Sequence, residues 1–183
     1  MLYKMDLLCI DANVFSVVNI RLDLHNHSLK KSHRKIKRKV EQRFTIAIGP
    51  AKINPSRQAL YDQHKTRFKG FIHETLDEYL HAGFHSTVFD THEIAVYDED
   101  RLIAVSFFDL GERSMASLLA LYDAEFSDYS LGTYTLLKEI EYGTMTGKKW
   151  YYPGYVLDQP SADRKSTRLN SSHSQQSRMP SSA

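Results

Sequence analysis

Two stretches of the chain hold residue types that do chemistry. The first is Ser130-Leu131-Gly132, at the opening of a helical pattern inside LYDAEFSDYSLGTYTLLKEIEYGTMTGKKWYYPGY, residues Leu121–Tyr155. A glycine at a helix N-terminus lets a ligand approach free backbone N–H groups, and the dipole there favours an anion or a developing oxyanion. One glycine is a weak signal, and plain packing is the commoner reason for it. The second stretch is basic: Lys30, Lys31, Arg34, Lys35, Lys37, Arg38 and Lys39 put seven cations within ten residues. That is either a solvated helix face or a salt-dependent, sequence-blind contact for a nucleic-acid backbone. Few aromatics interleave, so base stacking is not indicated. The nine histidines form no metal-ligand pattern, and both a serine elbow and a nucleotide phosphate loop are absent.

The elements that must position these residues follow from patterning. Glu93–Tyr97, Leu102–Leu110 and Ser114–Tyr122 are apolar runs separated by Asp98-Glu99-Asp100 and Gly111-Glu112-Arg113, which predicts a three-strand antiparallel meander. A helix is predicted from near Ser130, capped by Asp128 or Ser130, with Thr133, Leu136, Leu137, Ile140 and Thr144 as its core stripe and Gly132, Thr135, Glu139 and Tyr142 on an adjoining face. It ends near Gly147-Lys148-Lys149. Trp150–Tyr155 is a strand in which Pro153-Gly154 implies an edge or a bulge, and strands splayed there leave room for a substrate. Upstream, Val14–Leu24 alternates as a strand with Val14, Val18, Ile20, Leu22 and Leu24 on one face. Ser32–Gln42 is a helix with Ser32 as its cap and Ile36 and Val40 as its apolar contacts. Phe44–Ile48 is a strand, Pro55–Phe68 a helix with Leu60 and Tyr61 inward, Thr75–His81 a shorter helix, and His85–Thr91 a loop. The order predicts an α+β sandwich around a mostly antiparallel sheet.

The chain has 183 residues, 42% hydrophobic and 25% charged, which suits one globular domain. No segment approaches a membrane span, and Met1–Ile10 is too short and broken for a secretory signal. A single cysteine, Cys9, excludes an intrachain disulfide and reads as a small buried hydrophobe. A cytoplasmic location is the default expectation. The formal net charge of +2 is uneven. Asp163–Ala183 is polar, Ser- and Gln-rich and basic, and without it the body is near neutral with its positive charge concentrated around Lys30–Arg43. That tail is disordered by composition. Its first eleven residues, DRKSTRLNSSH, resemble the translated sequence of a standard sequencing-library adapter. The expectation is therefore a domain over residues 1–162, incomplete at both ends and at the C-terminal edge of its sheet, followed by a non-native tail over 163–183.

Tyr122-Asp123 to Phe126, Ser130-Leu131-Gly132 with Tyr134, Leu137 and Glu139-Ile140, and Tyr151-Tyr152-Pro153-Gly154-Tyr155 together resemble the signature block of the aminoacyl-tRNA–protein transferases, the arginyl- and leucyl-transferases of the N-degron pathway. The basic segment Lys31–Lys39 resembles a second, less specific block, and the likeness runs from about Leu22 to Asp158. It implies a fold similar to the GNAT acyltransferases, used with aminoacyl-tRNA in place of acyl-CoA. The implied reaction is attack of a protein's N-terminal α-amine on the ester of a charged tRNA, so the partners are charged tRNA and acceptor N-termini. A monomer without membrane contact, metal or further cofactor is expected. Binding must bring two large substrates into register. The implied catalytic group is Asp123, Glu139 and Tyr122. The two carboxylates hold the acceptor ammonium or take its proton, and the bland readings are a turn cap for Asp123 and a helix-surface salt bridge for Glu139. Ser130, Leu131, Gly132, Tyr134, Tyr152, Gly154 and Tyr155 line the substrate site, with the helix N-terminus on the oxyanion or the terminal nucleotide. Lys31, Arg34, Lys35, Lys37, Arg38 and Lys39 grip the tRNA. The chain departs from the family in lacking a cysteine-rich region, in His33 where glutamine is usual, and in Pro153. A CoA-dependent N-acetyltransferase is the competing enzyme, although Asp128–Gly132 is neither glycine-rich nor basic. A non-catalytic RNA-binding fragment is the other alternative, and the resemblance leaves arginine and leucine both open as the transferred residue.

Overall fold

The computed structural model describes residues 7–10, 13–67, 72–81 and 90–158. The tail over 163–183, the side chain of Cys9 and most of the His85–Thr91 loop lie outside the described residues, although Asp90 and Thr91 already belong to a strand. The meander forms as patterned: β4 (Asp90–Asp98), β5 (Arg101–Leu110) and β6 (Ser114–Tyr122) pair antiparallel in succession. β3 (Thr45–Pro50) adds antiparallel to β4. On the other side, β7 (Trp150–Asp158) runs parallel to β6 and antiparallel to β2 (Asn13–Asp23). A short strand that the sequence pattern does not announce, β1 (Leu7–Ile10), closes a hairpin with β2. Among the described residues the sheet has seven strands in the order β1-β2-β7-β6-β5-β4-β3, with β1 and β3 as its edges there. β7 is an interior strand, so of the two readings of Pro153-Gly154, an edge or a bulge, the edge does not hold.

Helices cover both faces. On one face lie α1 (Lys31–Glu41) and α4 (Leu131–Met145), and on the other α2 (Pro55–Lys65) and α3 (Leu76–His81). Leu60, Tyr61, Leu76, Tyr79 and Leu80 bury against Ala95, Val105, Phe107, Leu119 and Leu121. Val40, Leu131 and Tyr134 bury against Val96 and Ala104, while Ile140 meets Leu24, Phe108, Met115 and Tyr151. Alternation along the strands assigns these two sets to opposite faces.

Caps and stripes differ from the pattern-based expectation in instructive ways. α1 begins at Lys31 behind an extended Lys30 that makes no side-chain cap bond, so Ser32 sits in the first turn and is not the cap. α2 is capped as expected of Pro at its first turn: Asn54 Oδ1 accepts from the Arg57 N–H at 3.1 Å. It ends at Lys65, short of Phe68. On α4 the buried residues are Leu131, Tyr134, Thr135, Leu137, Glu139, Ile140 and Gly143, while Thr133 and Thr144 are exposed. Two faces of this helix are covered, one by the sheet and one by α1, so the adjoining face became core and the single stripe did not hold. Its C-terminus does hold: Gly147 at φ +71° carries a Schellman turn, with Lys148 N–H donating to Gly143 O at 2.8 Å and Gly147 N–H to Thr144 O at 3.2 Å. The expected apolar face of β2 also splits. Leu24 packs with Ile140, but Val14 and Val18 are 61% and 54% exposed, and Val17 on the opposite face is buried.

Candidate active site at a strand fork

β6 and β7 are hydrogen-bonded neighbours only at their starts: Ser114 pairs with Trp150, Met115 with Tyr151 and Ala116 with Tyr152. Beyond that the two parallel strands part. Pro153 has no N–H to donate. Opposite it, β2 passes from Ile20↔Gly154 to Leu22↔Tyr151, so β7 spends one extra residue around Tyr152-Pro153 as a bulge. β6 has its own extra residue, Leu118, between the pairs Phe107↔Leu119 and Phe108↔Ser117. Each strand thus bends where the pair opens, and the expected bulge and splay are both present. The fork widens toward the C-terminal end of β6, which is the end where α4 begins.

The mouth of the fork gathers Tyr122, Ser130 and Gly132. A Cβ placed on Gly132 would lie 3.2 Å from Tyr122 Cε1, so the glycine permits the α4 N-terminus to rest on this ring. Packing therefore accounts for Gly132, and the first-turn N–H groups beside it remain the helix's positive end. Ser130 stands before α4 in the left-handed region, at φ 53° and ψ 47°, and neither it nor Asp128 makes a side-chain cap bond. The reason is a short 3-10 helix, Ala124–Tyr129, that the sequence pattern missed and that runs directly into α4. A left-handed non-glycine residue costs roughly 1–2 kcal/mol, and this strain sits in the candidate site.

His64, which sequence spacing left scattered, belongs to the same mouth. It is 4% exposed, meets the Tyr122 ring edge-on at 4.9 Å between centroids and hydrogen-bonds the Tyr122 backbone. Burial, with the charge of Arg67, pushes its pKa down to about 4, so it is neutral at physiological pH. Arg67 lies over the same Tyr122 ring at 5.1 Å.

Asp123 is placed differently from its expected role. Its carboxylate is buried, with Oδ1 accepting from Glu125 N–H at 3.0 Å and Oδ2 from the Arg101 guanidinium at 2.5 Å. The turn-cap reading is therefore the observed one, and Arg101 holds the group on the β5 side of β6, away from β7. Leu131 and Tyr134 are 1% and 0% exposed and belong to the core. The Tyr134 hydroxyl faces Glu41 on α1, and burial raises its pKa well above the usual range, so neither side chain offers a substrate surface.

Glu139 is the opposite case: not a surface salt bridge but a wholly buried carboxylate beneath the fork. Tyr151 of β7 donates its hydroxyl to Oε2 at 2.7 Å. The other neighbours are Ser106 of β5 and Ser117 of β6, the first residue of β6 past the last β6–β7 pair. Burial pushes the Glu139 pKa up to about 7, opposed by the hydrogen bonds of these hydroxyls to the charged form. Oε1 and Ser106 Oγ are both buried without a well-formed hydrogen bond, which a proton on the carboxyl would supply. On β7, Tyr152, Gly154 and Tyr155 are half-buried, with Gly154 at φ 142° paired to Ile20 and Tyr155 paired to Asn19.

The basic helix divides in two. Lys37 is tied to Glu141 at 2.6 Å, Lys39 donates to Asp128 O at 2.9 Å and covers the Tyr129 ring, and Arg34 donates to Leu29 O at 2.9 Å. Lys31, Lys35 and Arg38 are exposed and make no ion pair among the described residues. Among those residues, no group of three or more His, Cys, Asp or Glu is arranged to hold a metal ion, and no helix is long and apolar enough to cross a membrane.

A sheet split between a parallel pair, with a helix N-terminus at the mouth and helices on both faces, is a GNAT-like α+β fold. Among solved structures, FemX superposes with a TM-score of 0.55 at 10% identity over 80% of this chain and 55% of that one. L-PGS from Bacillus licheniformis does so with a TM-score of 0.54 at 12% identity over 75% and 47%. Residues 52–162 match the family model described as arginine-tRNA-protein transferase, C terminus, and the chain belongs to that family. Curated relatives include the aspartate/glutamate leucyltransferases of Aeromonas hydrophila, 28% identical over 101 residues, and of Campylobacter jejuni, 24% identical over 153 residues. The matches cover 55% and 76% of this chain but only 37% and 60% of those relatives.

Proposed function

We propose that this chain carries out aminoacyl transfer from a charged tRNA to the N-terminal α-amine of an acceptor protein, arginine or leucine being the residue transferred. The observation that carries the reading is the fork between β6 and β7 beside the α4 N-terminus, inside the family-matched segment. The acceptor amine attacks the ester carbonyl, the new C–N bond forms, the C–O bond to the terminal ribose breaks, and the amine's proton ends on the departing ribose hydroxyl. The first-turn N–H groups of α4 stabilise the developing oxyanion. Tyr122 and Ser130 line the mouth, with Tyr152, Gly154 and Tyr155 on the β7 wall. Neutral His64 orients Tyr122. Glu139 acts from below the site through Tyr151 and is a positioning residue, because a group with no exposed surface does not touch either substrate. Lys31, Lys35 and Arg38, with Arg34, meet the tRNA backbone. By this chemistry the product is a protein with an added N-terminal residue, made in the cytoplasm as a degradation signal of the N-degron type. That relatives are aspartate/glutamate leucyltransferases supports acidic N-termini as acceptors.

A donor competition tests this reading. With an acceptor peptide beginning in Asp or Glu, transfer is expected from arginyl- or leucyl-tRNA and not from acetyl-CoA. Transfer from acetyl-CoA alone would overturn it in favour of a CoA-dependent acetyltransferase.

A further inference from the structure

A second cationic surface stands at the far end of α4 from the fork. Trp150, at the start of β7, is flanked by two cations: the Arg21 guanidinium carbon is 4.2 Å from the ring centroid and Lys149 Nζ is 4.9 Å away. The backbone N–H groups of Lys149 and Trp150 both donate to Arg113 O, at 2.9 and 3.2 Å, which sets the backbone of Arg113, an exposed residue, beside the corner. Lys148 is spent on the carbonyls of Gly111 and Glu112. Arg21, Arg113 and Lys149 make no ion pair among the described residues. Two acids are nearby. Asp23 accepts from Asn26 Nδ2 at 2.8 Å and from His25 N–H at 3.0 Å while sensing the Lys149 charge. Glu112 is exposed beside Arg113.

The corner continues the exposed part of α1. That helix runs antiparallel to α4: Glu41 near its C-terminus meets Tyr134 and Lys138, and Lys37 reaches Glu141. Its first turns, with Lys31, Arg34 and Lys35, therefore lie toward the C-terminal end of α4, which leads through Gly147 into Lys149-Trp150. No acid interrupts the sequence from Leu24 to Val40. Cations that make no direct ion pair and stand against an aromatic ring, as Arg21 and Lys149 do, fit a polyanion, and guanidinium and ammonium groups are the usual contacts to phosphate.

We propose that Arg21 and Lys149, ordered around Trp150, with the exposed Arg113 beside them, form a phosphate-contact patch that extends the α1 surface and holds the RNA backbone away from the fork. This rests on the tRNA reading above. An α4 of 15 residues sets the patch about 20 Å from Gly132, so an RNA bound to both must be long, and a bare aminoacyl-nucleotide would not reach it.

The test is binding of uncharged tRNA to the full chain across a salt series, comparing wild type with the double variant Arg21→Gln/Lys149→Gln and, separately, Arg113→Gln, with circular dichroism as the check on folding. Removing two phosphate contacts lowers the slope of log K against log salt by roughly 1.5, and one contact by about half that. An affinity loss of about tenfold in the double variant is expected at moderate salt. A slope unchanged in both folded variants overturns the patch while leaving tRNA binding through α1 intact. Absence of tRNA binding by the wild type overturns the patch and the tRNA reading together. Anionic phospholipid vesicles form the control arm: vesicle binding lost in the variants while tRNA binding holds would make this a lipid surface and overturn the proposal.

Discussion

Glu139 and His64 are both buried and both shifted, in opposite directions, and their effects on stability oppose each other. Glu139 holds its proton up to about pH 7 in the folded chain, against about 4.5 unfolded. Its contribution is fully present below pH 4.5 and is lost as pH rises to 7, by roughly 3 kcal/mol at about 1.4 kcal/mol per tenfold. His64 refuses a proton until about pH 4 in the folded chain, against 6.5 unfolded, so its contribution is present above 6.5 and is lost as pH falls toward 4. Between pH 4.5 and 6.5 the two slopes cancel. Glu139→Gln, which keeps the shape and removes the charge, is expected to raise stability at pH 8 and to expose a downward slope from pH 6.5 to 4. Urea unfolding at several pH values checks both, and a variant that is less stable than wild type at pH 8 would show that Glu139 is ionised and satisfied there. For Asp123, the observed cap predicts a loss of about 1 kcal/mol in Asp123→Ala, read by urea unfolding. At this scale the spacing Gly132…Glu139 was legible because seven residues, about two helical turns, put both on one helix face. The burial of Glu139 was not, since it depends on Ser106, Ser117 and Tyr151 arriving from three strands. His64 carried no local signal, because its partner Tyr122 lies on another element.

At the scale of elements, close approach and one buried ion pair set the largest costs. A Cβ on Gly143 would lie 2.5 Å from Met115 Sδ and 2.8 Å from Leu24 Cδ1, both buried. Gly143→Ala is expected to destabilise by about 1–3 kcal/mol through overpacking between α4 and the sheet, despite alanine's better helix propensity; thermal unfolding reads this directly. On the other face, Arg57 of α2 and Glu93 of β4 are 2% and 4% exposed and form a bidentate pair, with Tyr97 and the Lys52 N–H completing the set. Arg57→Ala leaves Glu93 charged and buried, and a loss of about 3–5 kcal/mol is expected. Replacing both partners by apolar residues should cost much less, which denaturant titration of the single and double variants distinguishes. The strand meander, α2 with its proline, and the turn at Gly147 were readable because local chemistry determines each of them. The α4 stripe was not, because a helix covered on two faces loses its single-sided period. β1 was too short to carry a pattern, and the 3-10 helix at Ala124–Tyr129 is set by Asp123 capping and the entry into α4.

Across the whole molecule, the fork and the cationic surface stand at opposite ends of α4, the separation that the proposed tRNA donor would have to span. The fork was foreshadowed by Pro153-Gly154, but the sheet order was not: β2 crosses to pair with β7 and makes β7 interior, a long-range pairing that no local pattern encodes. The basic helix was legible as charge, and only the structure separates Lys37 and Lys39, which serve the fold, from Lys31, Lys35 and Arg38, which face solvent. Lys35→Gln with Arg38→Gln is expected to weaken tRNA binding several-fold at moderate salt without changing the unfolding midpoint, as filter binding and thermal unfolding together would report. The central claim is tested most directly by incubating the chain with tRNA bearing a radiolabelled arginine or leucine and two versions of one peptide, with a free and with an acetylated N-terminus. The account predicts label in the free peptide and none in the acetylated one. Label in neither, with the tRNA bound, or equal label in both, would contradict it.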